Sequence, residues 1–499
     1  MASTSTSTSL KELLTSVTTL ESQGNADIEV TGIAYHSQKV AEGNAFVCVT
    51  GYKTDGHQYL ADAVRRGAVA AIVERFVDGV DVPQIRVENS RIALARLGAA
   101  FYGRPSDKLK MIGITATNGK TTTSYMANAI LESHGLKTGL IGTVVVKIDD
   151  ETIPAELTTP ESLDLQAYLG QMVDRGVSHV CMEVSSAALE THRVEQVDYD
   201  IVSLNNVSRE HIDSHGSFEG YFKAKSSLIR NAGAHAAAIL NLDDSYSASL
   251  VNETKAQVVT FGVKSREGHL HCKDLDLSTG RASFKLEIVK PFSVNGVDFV
   301  PGEFEVSLGV PGLHSVYNSM VAITIALLCG VPAETIQRAL REFKGVERRF
   351  EFIHEGDFKI VDDHFANPGN INVTLETLRF MDFERLQLVY AIRGDRGVTV
   401  NRENAEAIVS WLSRLELNEI TATKSVSHVT AKDKVSIEEE RVFLEVMNAA
   451  GVKVNLYDEL PDAIAHAIVR AEKGDLILLA GCQGMDPGAG IAHELLLRK

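Results

Sequence analysis

The fold is decided by one stretch of the chain, Gly113-Ile114-Thr115-Ala116-Thr117-Asn118-Gly119-Lys120-Thr121-Thr122-Thr123. The apolar run at residues 109–115 predicts a buried strand, and the spacing of apolar residues over 121–134 predicts a helix. A strand, a loop of small residues ending in Gly-Lys-Thr and a helix form a phosphate cradle, because the loop amides and the helix N-terminus face the anion. A chance Gly-Lys-Thr in a surface turn is the alternative, and the flanking elements make it the weaker one.

The chemistry of this loop points to a nucleotide. Lys120 adds a positive charge beside the phosphates, and the Thr121 hydroxyl can bind Mg²⁺. Five residues rather than four separate Gly113 from Gly119, so the spacing departs from that of the usual nucleotide loop. We therefore expect the chain to bind ATP through a loop of unusual length.

The composition is typical of a soluble protein with several domains. At 499 residues the chain is too long for a single core, and three domains are expected. The apolar fraction is 44% and the formal net charge is −17, which argues against nucleic acid and an anionic membrane as partners. No apolar window is long enough to span a bilayer, and the Ser/Thr-rich residues 1–9 lack the features of a secretory signal.

The cysteines indicate a reducing compartment. They are odd in number, scattered and without the spacing of metal ligands: Cys48, Cys181, Cys272, Cys329 and Cys482. A cytoplasmic setting follows from this pattern more naturally than a disulfide framework does.

Three segments follow one another along the chain. Residues 1–107 are typical of a small mixed α/β domain that ends at the polar joint 103–107. Residues 108–344 alternate strands and helices, as in a mostly parallel sheet, with a hairpin-forming insertion near 264–304. Residues 345–499 form another α/β unit whose strand pattern resembles an open, doubly wound, Rossmann-like sheet. The expected fold class is α/β with these three domains.

A second cluster of polar residues follows a predicted strand at residues 180–184. Glu183-Val184-Ser185-Ser186 places a carboxylate at the carboxyl end of that strand, beside the phosphate loop. An ATP-bound Mg²⁺ needs a ligand at such a place, so Glu183 is the candidate. A solvated glutamate at the end of a strand is the alternative interpretation.

Two histidines and a lysine farther along are less informative by themselves. His211 and His215 are four residues apart, a spacing that puts two side chains on one face of a helix. Gly216 follows at once and favours a loop, so a hydrogen-bonding histidine is a better interpretation than a metal ligand from the spacing alone. Lys225 carries no signal of its own.

The third segment holds two turns that contain arginine. Arg349 can bind a phosphate or a carboxylate through two hydrogen bonds, or form a surface ion pair with the glutamates beside it. Residues 363–368 lie at a strand-to-helix turn, where Asn-Pro is expected for conformational reasons. The loop Arg393-Gly394-Asp395-Arg396-Gly397 is either an anion-binding nest or a plain tight turn.

Together these motifs resemble the Mur ligase family, and within it the MurE branch, which adds the third residue of the peptidoglycan stem peptide. The phosphate loop with its five-residue spacing resembles the family's ATP loop. The other matching motifs are Thr158-Thr159-Pro160-Glu161-Ser162, Glu183-Val184-Ser185-Ser186 and Arg209-Glu210-His211-Ile212-Asp213-Ser214-His215-Gly216. Near the N-terminus, His36-Ser37-Gln38-Lys39-Val40 resembles the family's uridine-side motif.

The resemblance implies a role for each matching position. It implies ATP contacts at Thr117, Asn118, Gly119, Lys120, Thr121, Thr122, Asn318, Arg349 and Asp363. It implies Mg²⁺ ligands at Thr121, Glu183, His211 and Lys225, with Lys225 carbamylated so that its cation becomes a carboxylate-like group. It implies a catalytic set of Lys120, Glu183, His211 and Lys225. It implies contacts with the substrates at Ser37, Thr158, Thr159, Ser185, Arg193 and Arg396.

The activity that the resemblance implies is ATP-driven amide formation. A carboxylate of UDP-MurNAc-L-Ala-D-Glu attacks the γ-phosphate of ATP, and the amine of an amino acid then displaces phosphate from the acyl phosphate. Mg²⁺ and Lys120 neutralise the two anions that must meet, and closure of the third domain excludes water. We expect a cytoplasmic monomer or weak oligomer.

The chain departs from the family pattern mostly in its third segment. Ala116 replaces a glycine of the phosphate loop, Arg348 replaces another glycine, and Ala366 replaces a histidine. The Asp-Asn-Pro-Arg motif that selects diaminopimelate is Thr-Ala-Thr-Lys-Ser-Val at residues 421–426. The terminal Gly-Lys-Gly-His-Glu has become Gly481-Cys482-Gln483-Gly484-Met485-Asp486. These changes argue against meso-diaminopimelate as the incoming amine.

Three alternatives stay open at this point. The chain is a MurE-like ligase for a different carboxylate and amine, a non-catalytic paralogue that binds a nucleotide, or a ligase of the folylpolyglutamate-synthetase or cyanophycin type. The uridine-side motif of the first domain argues against folate as the substrate.

Overall fold

Three large β-sheets, two two-stranded ladders and the helices between them make up the described part of the chain, which covers residues 7–51, 54–208, 217–278 and 281–498 of a computed structural model. The sheets have five, eleven and six strands and occupy successive stretches of the sequence. The expected α/β class with three units is confirmed. The domain boundaries at 107/108 and 344/345 fall between the sheets and remain predictions.

The first sheet lies near the N-terminus. Its strands, in spatial order, are Thr19–Gln23, Gln84–Val87, Ala70–Val73, Asn44–Val47 and Gly32–Ala34. The first pair is antiparallel and the other three pairs are parallel. A separate two-stranded ladder joins Thr8–Ser9 to Glu29–Val30.

The central sheet places the phosphate loop near its middle. Its strands, in spatial order, are Glu151–Pro154, Val145–Ile148, Thr138–Ile141, His179–Glu183, Lys110–Thr115, Ile201–Leu204, Ala237–Asn241, Gln257–Gly262, Leu270–Asp276, Arg281–Ile288 and Gly302–Pro311. The middle strands are parallel and antiparallel pairs lie at both edges, so the prediction of a mostly parallel sheet is confirmed. The insertion predicted to form hairpins extends this sheet and adds a small hairpin, Phe292–Val294 with Val297–Phe299.

The third sheet is parallel apart from one edge strand. Its strands, in spatial order, are Glu351–Glu355, Lys359–His364, Leu476–Gly481, Leu386–Ala391, Glu419–Thr423 and Lys453–Tyr457. Only the first pair is antiparallel among them. The carboxyl ends of the parallel strands therefore meet at one edge, which is where ligands of open α/β sheets bind.

The helices pack on the faces of these sheets. The longer ones are Ser90–Phe101, Lys120–Ser133, Ser162–Asp174, Phe218–Arg230, Leu313–Leu328, Ala333–Glu342, Pro368–Leu378, Gly397–Leu412, Ile437–Ala449, Leu460–Arg470 and Gly488–Arg498. The short ones are Leu10–Leu14, Leu60–Arg65, Ser186–Glu190 and Ser245–Ser249, with 3₁₀ turns at Ser37–Lys39, Gly56–Tyr59, Pro105–Lys108, Leu250–Asn252 and Gln483–Met485. None of the helices in the described stretches is long and apolar enough to cross a membrane.

The strand that leads into the phosphate loop is buried on both faces. Ile112 and Ile114 pack in one apolar cluster with the helices Lys120–Ser133 and Leu313–Leu328. Met111 packs in a separate cluster on the opposite face. Because side chains alternate along a strand, a sheet covered by helices on both sides needs apolar residues at consecutive positions. The continuous apolar run seen in the sequence therefore fixes the loop in the interior of the unit.

Side-chain contacts join the three units. Leu163 of the central unit belongs to the apolar core of the first unit, and the Tyr35 hydroxyl donates a hydrogen bond of 2.5 Å to Asp164. His314 Nδ1 of the central unit lies 3.2 Å from Thr377 Oγ1 of the third unit. The third unit thus packs against the central unit on the side of the phosphate loop.

Candidate functional site

A cavity of about 610 Å³ lies between the phosphate loop and the third unit. Its walls contain eleven of the site residues expected from the sequence, which are Thr117, Asn118, Gly119, Lys120, Thr121, Thr122, Thr158, Glu183, Asn318, Arg349 and Asp363. Every position expected to contact ATP is in this set. The structure brings these positions together in space, and their individual roles remain predictions.

Gly119 is a loop position that only glycine fits. Its φ of +93° lies in the left-handed region, and a Cβ there would sit 2.2 Å from Asn318 Oδ1. The missing side chain lets the loop approach the helix that carries Asn318. Ala116, where the family has a glycine, is not among the described residues with positive φ. An alanine at that position therefore needs no left-handed backbone.

Asn206 holds the loop from the end of the neighbouring strand. Its backbone carbonyl accepts from Thr117 N at 2.9 Å, and its side-chain Oδ1 accepts from Asn118 N at 3.0 Å. Its Nδ2 donates back to the Asn118 carbonyl at 2.9 Å. One side chain thus satisfies the donor and the acceptor of Asn118, and the loop is preorganised before any ligand binds.

Two lysines reach the same backbone carbonyl of the loop. Lys120 Nζ donates to Ala116 O at 2.9 Å and to Thr117 O at 3.1 Å. Lys225 Nζ donates to Ala116 O at 2.7 Å and lies 5.0 Å from the centre of the Tyr221 ring. Lys225 is only 2% exposed. Like charges disfavour each other in a buried site, so turning one ammonium into an anionic carbamate would remove a repulsion.

Glu183 is fully buried at the end of the strand His179–Glu183. Its Oε2 accepts from the hydroxyls of Thr121 at 3.0 Å and Thr143 at 3.1 Å, and its Oε1 accepts from Thr143 N at 2.9 Å. Gly142 makes room for this carboxylate, because a Cβ there would lie 2.3 Å from Oε1. The alternative of a solvated glutamate is therefore wrong for this position.

The surroundings of Glu183 fit a divalent cation. Glu183 forms no ion pair within residues 7–51, 54–208, 217–278 and 281–498. Burying a carboxylate without a cation beside it costs free energy, because the charge loses its hydration. The oxygens of Thr121 and Glu183 are the donors that Mg²⁺ prefers. The same stretches contain no cluster of three or more His, Cys, Asp or Glu side chains suited to a metal, so a site here rests on mixed donors.

Arg349 and Asp363 bring the third unit to the cavity. Arg349 Nη1 donates to the Arg348 carbonyl at 2.9 Å, and the surface ion pair considered for Arg349 is not formed with any described carboxylate. Asp363 Oδ1 accepts from the backbone amides of Phe350 at 3.1 Å and His364 at 2.9 Å. Burial raises the pKa of Asp363.

Arg348, which replaces a glycine of the family pattern, is buried and has a φ of +55°. Its Nε donates to Asp362 at 3.3 Å, its Nη2 to Gly481 O at 2.6 Å and its Nη1 to Cys482 O at 3.2 Å. Its Nη1 also forms an ion pair with Asp486. Burial raises the pKa of Asp362 to about 7, although Arg348 opposes the shift. Two departures from the family pattern, at 348 and 486, therefore bind each other.

His364 lies in the cavity wall beside Cys482. His364 Nε2 and Cys482 Sγ are 3.7 Å apart, and the thiol, free like the other four, donates to Phe365 O at 3.1 Å. Burial lowers the pKa of His364 to about 3, and the guanidinium groups of Arg349, Arg348 and Arg393 add to the shift. The imidazole is therefore neutral near pH 7.

Asn370 connects the third unit directly to the phosphate loop. Its Nδ2 donates to Asn118 Oδ1 at 2.8 Å. Asn367 caps the helix Pro368–Leu378, and its Oδ1 accepts from Asn370 N at 2.9 Å. The cap fixes the first turn of the helix and so the direction of the Asn370 side chain.

The residues expected to contact the sugar-peptide fall into separate places. Thr158 lies in the cavity wall, with its Oγ1 3.1 Å from Thr143 Oγ1. Thr159, Ser185 and Arg193 form a group next to Glu183. Thr159 Oγ1 donates to Glu183 O at 2.8 Å and accepts from Ser185 N at 3.1 Å, and Arg193 Nη1 donates to Thr159 O at 3.1 Å.

Two other expected residues, Ser37 and Arg396, are not in the cavity wall. Ser37 is buried in the first unit, at the start of the turn Ser37–Lys39. Arg396 lies in the third unit beyond the cavity wall, and its backbone amide donates to Glu439 at 2.9 Å. His211 lies outside the described residues.

A group of polar residues in the cavity wall was not predicted from the sequence to belong to the site. They are Thr143, Asn205, Asn206, Asn241, Asp243, Asp244, His314, Tyr317, His364 and Asn370. Asp243 accepts from three consecutive backbone amides at 2.8 Å, those of residues 263–265, and from the Tyr317 hydroxyl at 3.0 Å. Their place in the sequence could have indicated a role in the site. Asn241 ends a parallel strand near the strand of the phosphate loop, and Asp243 follows that strand, where ligands of α/β sheets bind.

These features define an α/β protein with a phosphate cradle in its central sheet and a third unit facing that cradle. Three family descriptions match the chain: "Mur ligase family, catalytic domain" at residues 29–102, "Mur ligase middle domain" at 114–326 and "Mur ligase, glutamate ligase domain" at 348–483. The chain belongs to the Mur ligase family.

Two relatives agree with this assignment, and a solved structure shares the fold. UDP-N-acetylmuramoyl-L-alanyl-D-glutamate--2,6-diaminopimelate ligase of Caldanaerobacter subterraneus subsp. tengcongensis is 35% identical over 469 residues, 92% of this chain and 91% of the relative. The protein of the same name from Bacillus licheniformis is 36% identical over 483 residues, 95% and 93% of the two chains. A solved structure with that name superimposes with a TM-score of 0.68 at 22% identity, covering 99% of both chains.

Proposed function

We propose that this Mur ligase family member is an ATP-dependent, ADP-forming ligase that joins an amino acid to UDP-MurNAc-L-Ala-D-Glu in peptidoglycan precursor synthesis. Two relatives at about one-third identity carry a ligase name with that dipeptide substrate. The proposal places the reaction in the cytoplasm, where ATP and the nucleotide-linked substrate are available, and treats the protein as a monomer or weak oligomer.

The observation that carries this proposal is the two-sided cavity. Lys120 and Thr121 line it from the phosphate loop, and Arg349 and Asp363 line it from the third unit. A reaction between two anions needs positive charge on the transferring phosphoryl group from more than one direction. Closure of the third unit over this cavity would exclude water, which would otherwise hydrolyse an acyl phosphate.

The residues of the cavity suit the two chemical steps. In the first step a carboxylate oxygen of the dipeptide bonds to the γ-phosphorus while the bond to the ADP oxygen breaks. We assign Lys120 and Arg349 to the charge that develops on the phosphoryl oxygens. In the second step the amine nitrogen bonds to the acyl carbon, the carbon–oxygen bond to phosphate breaks and the amine gives up a proton.

Thr121 and Glu183 are the residues that would hold Mg²⁺, and a bound Mg²⁺ would supply charge neutralisation at the triphosphate. We propose Lys225, as its carbamate, for a further ligand, and His211 for another. The support for Lys225 is its burial beside a carbonyl that Lys120 also binds. Thr143 orients Glu183 by donating two hydrogen bonds to its carboxylate.

We assign the group next to Glu183 to the dipeptide. Arg193 Nη2 lies 3.1 Å from Glu161 Oε1, while its Nε is buried without a hydrogen-bond partner in the described stretches. A substrate carboxylate would complete the bonding of this guanidinium. Ser37, in the first unit, is assigned to the uridine end of the substrate.

A second candidate function keeps this chemistry and changes the amine. Where the family selects diaminopimelate, Lys424 is already paired with Glu440 at 3.2 Å and Asp458 at 2.8 Å. The next residue, Ser425, is completely buried with a φ of +53°. Neither side chain is available to a second ammonium–carboxylate pair, which favours an amine other than 2,6-diaminopimelate.

The test is phosphate release with ATP, Mg²⁺, UDP-MurNAc-L-Ala-D-Glu and a panel of amino acids that includes meso-diaminopimelate and lysine. Mass measurement identifies the amide product. One amine that gives a product in proportion to the phosphate released establishes the ligase and names its specificity. A reaction with meso-diaminopimelate alone would eliminate the second candidate.

The non-catalytic alternative makes the opposite prediction. A protein that binds ATP but releases no phosphate with any amine, and whose cellular role survives Lys120→Ala, is a binding protein. Stabilisation by UDP-MurNAc-L-Ala-D-Glu in thermal unfolding separates both candidates from a folate-type ligase, because a ligand that binds only the folded state raises the Tm.

A further inference from the structure

Arg348 has a backbone conformation that favours glycine. Its φ of +55° lies in the left-handed region, where a residue with a Cβ is strained and glycine is not. The family pattern has a glycine at this position, so the chain has kept the conformation without the residue that adopts it most easily. Strain of this kind persists only where the surrounding structure fixes it. The Arg348 side chain must therefore make contacts that offset the strain.

The guanidinium of Arg348 binds four acceptors from two other parts of the third unit. Its Nε donates to the carboxylate of Asp362, which is completely buried, at 3.3 Å. The carbonyls of Gly481 and Cys482 accept from Nη2 at 2.6 Å and from Nη1 at 3.2 Å, and Nη1 also pairs with Asp486. Asp362 and Gly481 belong to neighbouring parallel strands. One side chain thus joins its own segment to two strands of the third sheet and to the turn that follows one of them.

The backbone of Arg348 in turn holds the side chain of Arg349. The Arg348 carbonyl accepts a hydrogen bond from Arg349 Nη1 at 2.9 Å. The Arg348 amide donates to Glu351 Oε2 at 2.9 Å, and the Arg349 amide donates to the Val346 carbonyl at 3.0 Å. Arg349 lines the cavity, whereas Arg348 is not in its wall. Because the side chain of Arg348 fixes the backbone whose carbonyl binds Arg349, the contacts of Arg348 determine where the Arg349 guanidinium lies.

We propose that Arg348 is a positioning residue, which holds the Arg349 guanidinium against the phosphoryl group that is transferred from ATP. The inference rests on the proposed ligase function and adds a residue to its first chemical step. Asp486 takes part because it pairs with Arg348 from the turn after the strand Leu476–Gly481. Two positions at which the chain departs from the family pattern thus support one catalytic contact.

A stabilising role alone is the alternative. Removing the partner of a buried carboxylate such as that of Asp362 destabilises a fold strongly, so the loss of Arg348 changes stability under both interpretations. The two interpretations differ when Arg349 is absent. The effect of a positioning residue on the rate then disappears, because the group through which it acts is missing, whereas independent effects add.

The experiment is a double-mutant cycle on phosphate release with saturating substrates. It compares the wild type, Arg348→Met, Arg349→Met and the double variant. We expect Arg348→Met to lower kcat roughly tenfold, because a small displacement of a catalytic charge slows the reaction. The KM of UDP-MurNAc-L-Ala-D-Glu should stay within about twofold, and in the Arg349→Met background Arg348→Met should change kcat by less than about twofold. Arg348→Lys should recover part of the loss, because lysine keeps the charge without the planar fork.

Two further variants separate a loss of rate from a loss of folding. Arg348→Met combined with Asp362→Asn removes both charges of the buried pair, so no unpaired carboxylate stays in the interior, and kcat should still fall roughly tenfold. Asp486→Ala keeps the contact between Arg348 and Asp362 and removes only the exposed partner. This variant should lower kcat about threefold, since an exposed ion pair contributes little.

Arg385→Met is the matched control. Arg385 Nη2 lies 2.6 Å from Asp475 Oδ2, and Asp475 is buried, so this variant also takes an arginine from a buried aspartate. Arg385 precedes the strand Leu386–Ala391, at the end of the sheet opposite the cavity, and is not in the cavity wall. We expect a lower Tm and an unchanged kcat.

The proposal is overturned if Arg348→Met lowers kcat by the same factor with and without Arg349, or if Arg385→Met lowers kcat as much as Arg348→Met. A folded Arg348→Met, Asp362→Asn protein with the kcat of the wild type would also overturn it. A wild type that releases no phosphate with any amine refutes the ligase function itself, and the role of Arg348 falls with it.

Discussion

The phosphate loop and the carboxyl edge of the third sheet form two walls of one cavity, yet they are built in different ways. The loop wall comes from a contiguous motif, Gly113 to Thr123, and from one strand end that carries Glu183. Next to the opposite wall, which Arg349 and Asp363 line, Arg348 binds Asp362, 14 residues along the chain, and the distant Asp486. The loop wall keeps the family motif almost unchanged, whereas the opposite edge has replaced much of it.

This difference between the two walls shows where the protein tolerates amino-acid substitutions. A phosphate loop works through backbone amides and one glycine geometry, so a substitution such as Gly119→Ala meets Asn318 and a forbidden φ at once. At the third sheet a new side chain can be matched by a second change, as the ion pair of Arg348 with Asp486 illustrates. The chemistry of ATP is shared by the family, while the amine side can diverge through paired substitutions.

The largest effect is expected from Lys120→Ala. Removing a cation from the phosphate cradle should lower kcat roughly a thousandfold, measured as phosphate release with saturating substrates. Lys137→Ala is the matched control, because Lys137 forms an exposed ion pair with Asp149 at 3.0 Å and is not in the cavity. Unchanged turnover in Lys120→Ala would show that the loop wall does not carry the chemistry.

A smaller effect is expected from Arg349→Met, which tests the opposite wall. Loss of this guanidinium should lower kcat roughly a hundredfold, because it contributes charge to the same phosphoryl group. Single-turnover phosphate release separates this loss from slow product release. Arg379→Met, at the exposed end of the helix Pro368–Leu378, should have no effect. If both variants behave alike, the third unit supplies no catalytic charge.

The third prediction concerns Asp362 and the pH dependence of stability. Burial raises the pKa of Asp362 to about 7, so the folded state binds a proton that the unfolded state releases near pH 4. This contribution to stability is complete below about pH 4 and is lost as pH rises to about 7, at no more than about 1.4 kcal/mol per pH unit. His364 and His314 shift the opposite way, so a difference between variants is the required measurement.

Denaturant unfolding of the wild type and Asp362→Asn between pH 4 and pH 7 provides that difference. The variant should gain stability relative to the wild type as pH rises, because asparagine carries no proton to lose. A constant difference across this range would mean that Asp362 is already ionised at pH 4, held so by Arg348.

The smallest effect is expected from Asn370→Ala, which removes the hydrogen bond between Asn370 and Asn118 that links the two walls. One neutral hydrogen bond contributes about 1 kcal/mol, so the KM of ATP should rise about fivefold with little change in kcat. Asn372→Ala, on the same helix, removes the acceptor of Trp411 Nε1 instead. It should lower the Tm and leave the KM of ATP unchanged. If Asn372→Ala raised the KM of ATP and Asn370→Ala did not, the hydrogen bond of Asn370 would not be the contact that links the two walls.

Much of the fold could be predicted because its signals are local. The strand predicted at residues 109–115 is observed as Lys110–Thr115, and the helix predicted at 121–134 is Lys120–Ser133, which differs by one residue at each end. The strand Glu351–Glu355 was missed, because a half-buried edge strand with a glutamate at both ends gives little apolar alternation.

The site was predictable only where a motif is contiguous. The loop motif predicts the roles of Lys120 and Thr121, and the end of a predicted strand indicates Glu183. Asn206 and Asn370 did not, since an asparagine in a loop is usually a turn residue and only the packing shows that both hold Asn118.

The sequence by itself determined the α/β class, the phosphate cradle and the membership of a family, because backbone periodicity and a loop signature depend on neighbours along the chain. The tertiary structure decided which charges are matched. It buried Arg348 between two aspartates and joined the third unit to the loop through Asn370. Whether a charged side chain is neutralised depends on groups far away in sequence, and only the folded chain brings them within range.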